Sequence, residues 1–150
     1  MPWLQWQPSD LQEDHPGIVA WLSGAGLDNL CFPIKLDVAS NKWPTDRFDG
    51  VFSANTAHIM AWSEVQVMFH GIGKLLPGDG VFCLYGPFNY QGQFTSSSNA
   101  YFDQHLKQKT SRMGIRDFES VVAESNSQGL VLLADHEMPA NNRTLIWQKQ

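Results

Sequence analysis

Apolar and polar positions along this chain follow two rhythms, one of period two and one near 3.6. The first run, Trp3-Leu4-Gln5-Trp6-Gln7-Pro8-Ser9-Asp10, reads as a short strand running straight into an acidic residue. Ile18, Val19, Trp21, Leu22 and Ala25 then recur at helical spacing, and Gly24 and Gly26 mark the stop. A second strand is predicted at residues 31–36, ending on Asp37, and a polar, Pro-containing linker fills residues 39–47. Residues 51–54 form the next strand, which ends in polar Asn55. An amphipathic helix is predicted at residues 63–76, with Val67, Met68, Ile72, Leu75 and Leu76 as its apolar stripe. Pro77-Gly78-Asp79-Gly80 turns the chain into a strand at residues 81–85.

The remainder opens with a polar loop, residues 86–98, rich in Gly, Gln and Ser; loops of that length in a small domain are usually functional or mobile. Asn99 is the expected cap of a helix at residues 100–109, and Asp117 the expected cap of another running to Ser127, which Gly129 ends. Strands follow at residues 130–134 and 144–147. The early strand–helix alternation predicts an α/β fold with a parallel sheet and right-handed crossovers. The link at residues 138–143 is too short for a crossover, so the last two strands should pair antiparallel.

Composition narrows the classes. With 150 residues the chain is one domain's worth, and 43% hydrophobic with 17% charged residues fits a packed core. A net charge of −5 argues against nucleic acid as a partner. Lys107, Lys109, Arg112 and Arg116 read as a solvated helix face. No apolar stretch is long enough to span a bilayer and no signal peptide is evident, so the expected location is the cytoplasm, with no membrane partner. Cys31 and Cys83 sit in apolar runs as reduced thiols, and the histidines have no metal-site spacing, so no metal is expected.

Six blocks carry a resemblance: Trp6-Gln7-Pro8-Ser9-Asp10, Ala54-Asn55-Thr56-Ala57-His58-Ile59, Tyr85-Gly86-Pro87-Phe88, Ser98-Asn99-Ala100-Tyr101-Phe102-Asp103, Met113-Gly114-Ile115-Arg116-Asp117 and Met138-Pro139-Ala140-Asn141-Asn142. In this order they resemble the methyltransferase-like family that includes methyltransferase-like protein 26, within the class I S-adenosylmethionine-dependent methyltransferases. The resemblance covers essentially the whole chain. It implies a Rossmann-like sheet, mostly parallel with an antiparallel C-terminal strand, S-adenosylmethionine as cofactor, and a small-molecule or other unidentified methyl acceptor. By the same resemblance Asp10 receives the ribose hydroxyls and Asp37 the adenine amino group. Asn55, Thr56 and His58 face the methyl donor and acceptor, with His58, Asn55 and Tyr85 as catalytic candidates. Phe88, Asn99, Asn141 and Asn142 border the acceptor pocket, and residues 86–98 form a lid.

The resemblance also has a departure. Class I enzymes open with a strand and a Gly-rich loop whose backbone approaches the cofactor. Here residue 1 already lies at the start of the second strand of that order, and Gly24-Ala25-Gly26 follows a helix. The expectation is a single domain, residues 1–150, N-terminally incomplete, whose missing mid-sheet strand favours an oligomer or a partner. An alternative function follows: a non-catalytic short form that does not hold the cofactor by itself.

Most candidates also admit a structural role. Asp10 and Asp37 serve equally as turn residues or caps, and His58 as a helix N-terminal residue bonded to backbone. Tyr85 and Phe88 could cap the core. Asn141 and Asn142 suit left-handed turn geometry, and Arg116 and Asp117 suit a local salt bridge and a helix cap.

Overall fold

Two compact units, residues 1–43 and 44–150, make up the chain. The computed structural model describes residues 3–40 and 42–150; Asn41, inside the predicted linker, lies outside them.

In the first unit, strand β1 (Ser9–Asp10) pairs in parallel with β2 (Ile34–Lys35). Helix α1 (His15–Ala25) lies between them in sequence. Pro16 sits in its first turn, where no amide donor is needed, and Gly26 closes it at φ 59°. Both strands are shorter than the apolar pattern predicts. Trp6 adds one more parallel bridge, to Leu30. Large apolar side chains stay exposed here, Trp21 at 84% and Trp3 and Phe32 at 78%.

The second unit holds the core. Strand β3 (Gly50–Ala54) runs parallel to β4 (Val81–Gly86), joined through helix α2 (Trp62–Leu75). A two-residue strand β5 (Phe88–Asn89), helix α3 (Ser97–Lys109) and a second short strand β6 (Arg116–Asp117) follow. Helix α4 (Phe118–Ser127) leads to the hairpin of β7 (Leu130–Met138) and β8 (Asn142–Lys149). The main sheet has the order β3-β4-β8-β7, and β8 is antiparallel to both its neighbours, as the short link requires. β5 and β6 pair in parallel as a separate ribbon.

Side-chain alternation explains which face is buried. Phe82 and Leu84 on β4, and Leu145 and Trp147 on β8, are all fully enclosed. Val65, Met68, Phe69 and Ile72 of α2 and Val121 of α4 are buried as well. Three rings interlock at the centre: Phe82 stacks on Trp147 at 5.3 Å, and Phe69 stands edge-on to both at 5.5 and 5.7 Å. The α2 stripe therefore includes Val65 and Phe69, while Val67 and Leu75 are only half-buried. Gly73 lets α2 approach α4 closely, since a Cβ there would stand 2.9 Å from Gln128 Cβ.

Two loop expectations change. Residues 86–98 are not one open loop: after β5, Tyr90 and Gln93 bond each other across a tight turn, with Gln91 and Gly92 at φ 51° and 70°. Helix α3 begins two residues before Asn99, and Ser96 caps it by accepting the Asn99 N–H at 3.1 Å. Among the described residues, no helix is long and apolar enough to cross a membrane.

Candidate active site

Within each unit the parallel strands bring their carboxyl ends to one edge of their own sheet, and the candidate residues follow these ends. In the first unit Asp10 closes β1, and Asp37 follows β2 by two residues at the same end of the pair. Asp10 Oδ1 accepts the Leu11 N–H at 2.8 Å and Asp37 Oδ1 the Ala39 N–H at 3.0 Å. The local turn roles are thus real, but each uses one carboxylate oxygen. The exposed second oxygens have no hydrogen bond within the described residues, so both side chains can still accept from a ligand hydroxyl or amine. Gly26 is spent on closing α1, so the Gly24–Gly26 segment offers no strand-to-helix phosphate-type turn.

In the second unit the parallel pair β3–β4 does the same. Asn55 follows β3 in left-handed geometry, φ 59°, and its N–H bonds Tyr85 O at 2.8 Å. Thr56 Oγ1 lies 2.6 Å from Ser53 Oγ, which fixes the exit from the strand. His58 then sits in the turn ahead of α2, only 6% exposed. Gly86 closes β4 beside it. A Cβ at Gly86 would stand 3.8 Å from His58 Nδ1 and 4.0 Å from Asn55 Oδ1, so three of the residues singled out by sequence converge within a few ångströms. Tyr85, half-buried, pairs with Ala54 and Thr144 directly below them.

The His58 ring is not the backbone-bonded helix terminus that a structural role would give. Neither nitrogen has a hydrogen-bond partner among the described residues, and the ring meets Phe102 edge-on at 5.2 Å. Burial lowers its pKa below the ordinary 6.5, and the positive charge of Arg116 lowers it further. The imidazole is therefore neutral at physiological pH, with an acceptor nitrogen free.

The pocket candidates from the later blocks separate. Phe88 is core, 1% exposed. Asn99, buried, donates through Nδ2 to Thr95 Oγ1 at 2.9 Å and to Asn141 O at 3.1 Å, and Asn141 Nδ2 donates to Ser98 Oγ at 3.1 Å. This clamp ties the start of α3 to the β7–β8 turn, where Ala140 and Asn141 take φ 58° and 59°. Asn142 bonds Pro139 O within that turn. Because Gly86 pairs with Arg143, the turn lies beyond the same end of the sheet as His58 and Asn55.

Three residues, Arg116, Asp117 and Asp103, differ from what the sequence suggested. Arg116 makes no ion pair among the described residues; its guanidinium instead donates to the carbonyls of Ala57 (3.0 Å), Arg112 (2.9 Å) and Met60. Asp117 stands at the N-cap of α4 without making a capping bond, and Asp117 Oδ1 and its register partner's Asn89 Oδ1 are buried without a donor among the described residues. Asp103, 4% exposed, accepts the Ile115 N–H at 2.8 Å and pairs with Lys107 at 2.7 Å. Gly114 admits this carboxylate, since a Cβ there would be 2.9 Å from Asp103 Oδ1. Asp103, Gly114, Arg116 and Asp117 lie inside the matching blocks, but nothing in the sequence marks the partners they take, and Asn89 lies outside the blocks. Asp103→Ala should cost about 1–3 kcal/mol, leaving a buried amide unpaired. Asp103→Asn, which keeps an acceptor and loses only a pair with exposed Lys107, should cost under about 1 kcal/mol in chemical denaturation. An open depression of about 580 Å³ beside α3, lined by Phe94, Asp103 and Lys107 among others, does not include His58. No group of three His, Cys, Asp or Glu among the described residues could hold a metal.

This α/β architecture, a mixed sheet with its last strand antiparallel, is that of the Rossmann-like methyltransferase domains. The chain belongs to the family described as "Protein of unknown function (DUF938)", whose sequence model matches residues 1–149. Among solved structures it is similar to an O-methyltransferase family protein from Burkholderia thailandensis, with TM-score 0.88, 14% identity, and 99% of this chain and 45% of that one covered. It is also similar to the mitomycin 7-O-methyltransferase MmcR, with TM-score 0.85, 15% identity, and 100% and 43% covered. PigF with SAH gives TM-score 0.82, 12% identity, and 99% and 49% covered. The chain thus spans less than half the length of these proteins.

Proposed function

We propose that this chain is the cofactor and acceptor domain of an S-adenosylmethionine-dependent methyltransferase acting on a proton-bearing small-molecule acceptor. The observation that carries the reading is His58: a buried, neutral imidazole with no hydrogen-bond partner, at the carboxyl end of β3 in a methyltransferase fold. Its nitrogens, unlike Trp147 Nε1, are not sealed from solvent, so an acceptor's proton can reach them. Structures of similar fold include SAH-bound and S-adenosylmethionine-dependent proteins, which supports the same cofactor here.

Asp10 and Asp37 fit such a cofactor, each with a free acceptor oxygen suited to the ribose hydroxyls and the adenine amine. When bound, S-adenosylmethionine supplies a methyl group on an electrophilic sulfonium. The chain's own task is to hold the acceptor in line and take its proton. His58 would take the proton of the acceptor hydroxyl or amine at its free ring nitrogen. Asn55 and Thr56 orient the acceptor and Tyr85 lines the floor. The six matching blocks support kinship with the methyltransferase-like proteins, and two free thiols suit a reducing cytoplasm.

A second reading is a short form that keeps the fold without holding the cofactor alone. It is favoured by the two-residue length of β1 and β2. A thermal-shift titration separates the two. At 100 times its dissociation constant S-adenosylmethionine should stabilise the chain by about 2.7 kcal/mol, and Asp10→Ala should weaken that binding. Melting curves unmoved by the cofactor would support the short form.

A further inference from the structure

We infer that Arg116 is a positioning residue for His58, holding the turn that carries the imidazole through the turn's own carbonyl groups; this rests on the reading of His58 as the working group of the site. Ala57 to Met60 lie in the middle of the link, residues 55–61, between the exit of β3 and the start of α2. Within that stretch the Ala57 carbonyl accepts from Arg116 Nε, the His58 carbonyl from the Gly114 N–H at 2.9 Å, and the Met60 carbonyl from Arg116 Nη2. The same Nη2 also donates to Arg112 O, so one guanidinium joins two chain segments. Inside the turn, the Ile59 N–H donates to Thr56 O at 3.1 Å. The segment at 112–116 therefore acts as an external brace for the histidine.

The choice of residue fits the task. Arginine presents several donors in a rigid planar fork, whereas a lysine ammonium cannot span carbonyls on both sides of the turn. Arg116 is half-buried without an ion-pair partner among the described residues, a costly arrangement that its carbonyl bonds offset. The charged groups around it are Asp103 and Glu64, which act on the guanidinium, with Lys107 and Arg112 as their respective ion-pair partners. Of these surroundings, the Arg116 charge is the one that acts on the His58 ring. The residue thus places the imidazole and, after burial, adds to the lowering of its pKa.

The test needs neither cofactor nor acceptor. The His58 ring signals of the ¹⁵N-labelled chain, assigned by their loss in His58→Gln, are titrated in the wild type, Arg116→Gln and Arg116→Lys. Arg116→Gln should raise the His58 midpoint, and Arg116→Lys, which keeps the charge, should raise it less. Both should speed hydrogen exchange at Ile59 and Gly114 by about tenfold or more, with β4 and β8 amides unchanged. If Arg116→Gln does not fold, the lysine variant decides alone through its local exchange. An unchanged His58 titration with unchanged exchange at the turn overturns the proposal, as does exchange that rises evenly across the whole second unit. A chain that passes but transfers no methyl group refutes the proposed activity and leaves the brace standing.

Discussion

Replacing Trp147 with alanine should destabilise the second unit by about 3–5 kcal/mol, the largest stability loss expected from any single truncation here. Trp147 has no exposed surface, stacks on Phe82 and receives the edge of Phe69. Removing it unseats the contact between α2 and both central strands at once. The indole N–H is buried without a partner among the described residues, so part of the side chain's packing energy offsets a desolvated donor. Trp147→Phe keeps the ring stack and discards that donor, and should therefore cost far less than Trp147→Ala. Urea denaturation of both variants checks the ordering; an equal loss would show that the stack contributes little. For a unit of about 100 residues each kcal/mol moves the melting temperature by roughly 4–8 °C.

His58→Gln should lower the rate of methyl transfer by about 10²–10⁴-fold, the range associated with a positioned general base. Cofactor binding, measured by the same thermal titration, should be nearly unchanged, which separates chemistry from assembly. The ring also leaves a mark on stability. Its folded pKa is lowered from 6.5, first by burial and then by Arg116, so the unfolded chain binds its proton more readily. The contribution of neutral His58 is complete above 6.5 and is lost as pH falls toward the folded pKa. Denaturation measured between pH 7 and 5 should show a steeper loss for the wild type than for His58→Gln. A parallel pair of curves would mean the ring titrates as in solvent.

Strong periodicity made part of this fold legible. The α2 stripe, the β4 alternation and the hairpin signal at residues 138–143 each point to one element, and all three are present. β7 runs on to Met138 through Asp135, His136 and Glu137, where polar residues hide the strand. Cross-strand chemistry extends it: Arg143 bonds Asp135 at 2.7 Å and Glu137 at 3.0 Å. β5 and β6 are two residues each, too short for any period to register. Asn99 looks like a cap because its type favours caps, but Ser96 lies in the better place and frees Asn99 to reach Asn141. Within the candidate site, the placement of Asn55 and His58 just beyond a strand end could be read from the pattern. The bonds of Arg116 could not, since its partners are carbonyls, which every residue possesses and no sequence marks.

The distribution of the tryptophans makes the two units separable by light. Trp3, Trp6, Trp21 and Trp43 belong to the first unit, and only Trp62 and Trp147 to the second. Trp3 and Trp21 are open to solvent at 78% and 84%, so a soluble quencher such as iodide should reach them freely, while Trp147 is sealed from it. Emission remaining at high quencher concentration will then be weighted toward Trp147 and the β4–β8 core, with half-buried Trp43 and Trp62 quenched in between. Each half of the chain carries its own optical thermometer, with no label attached.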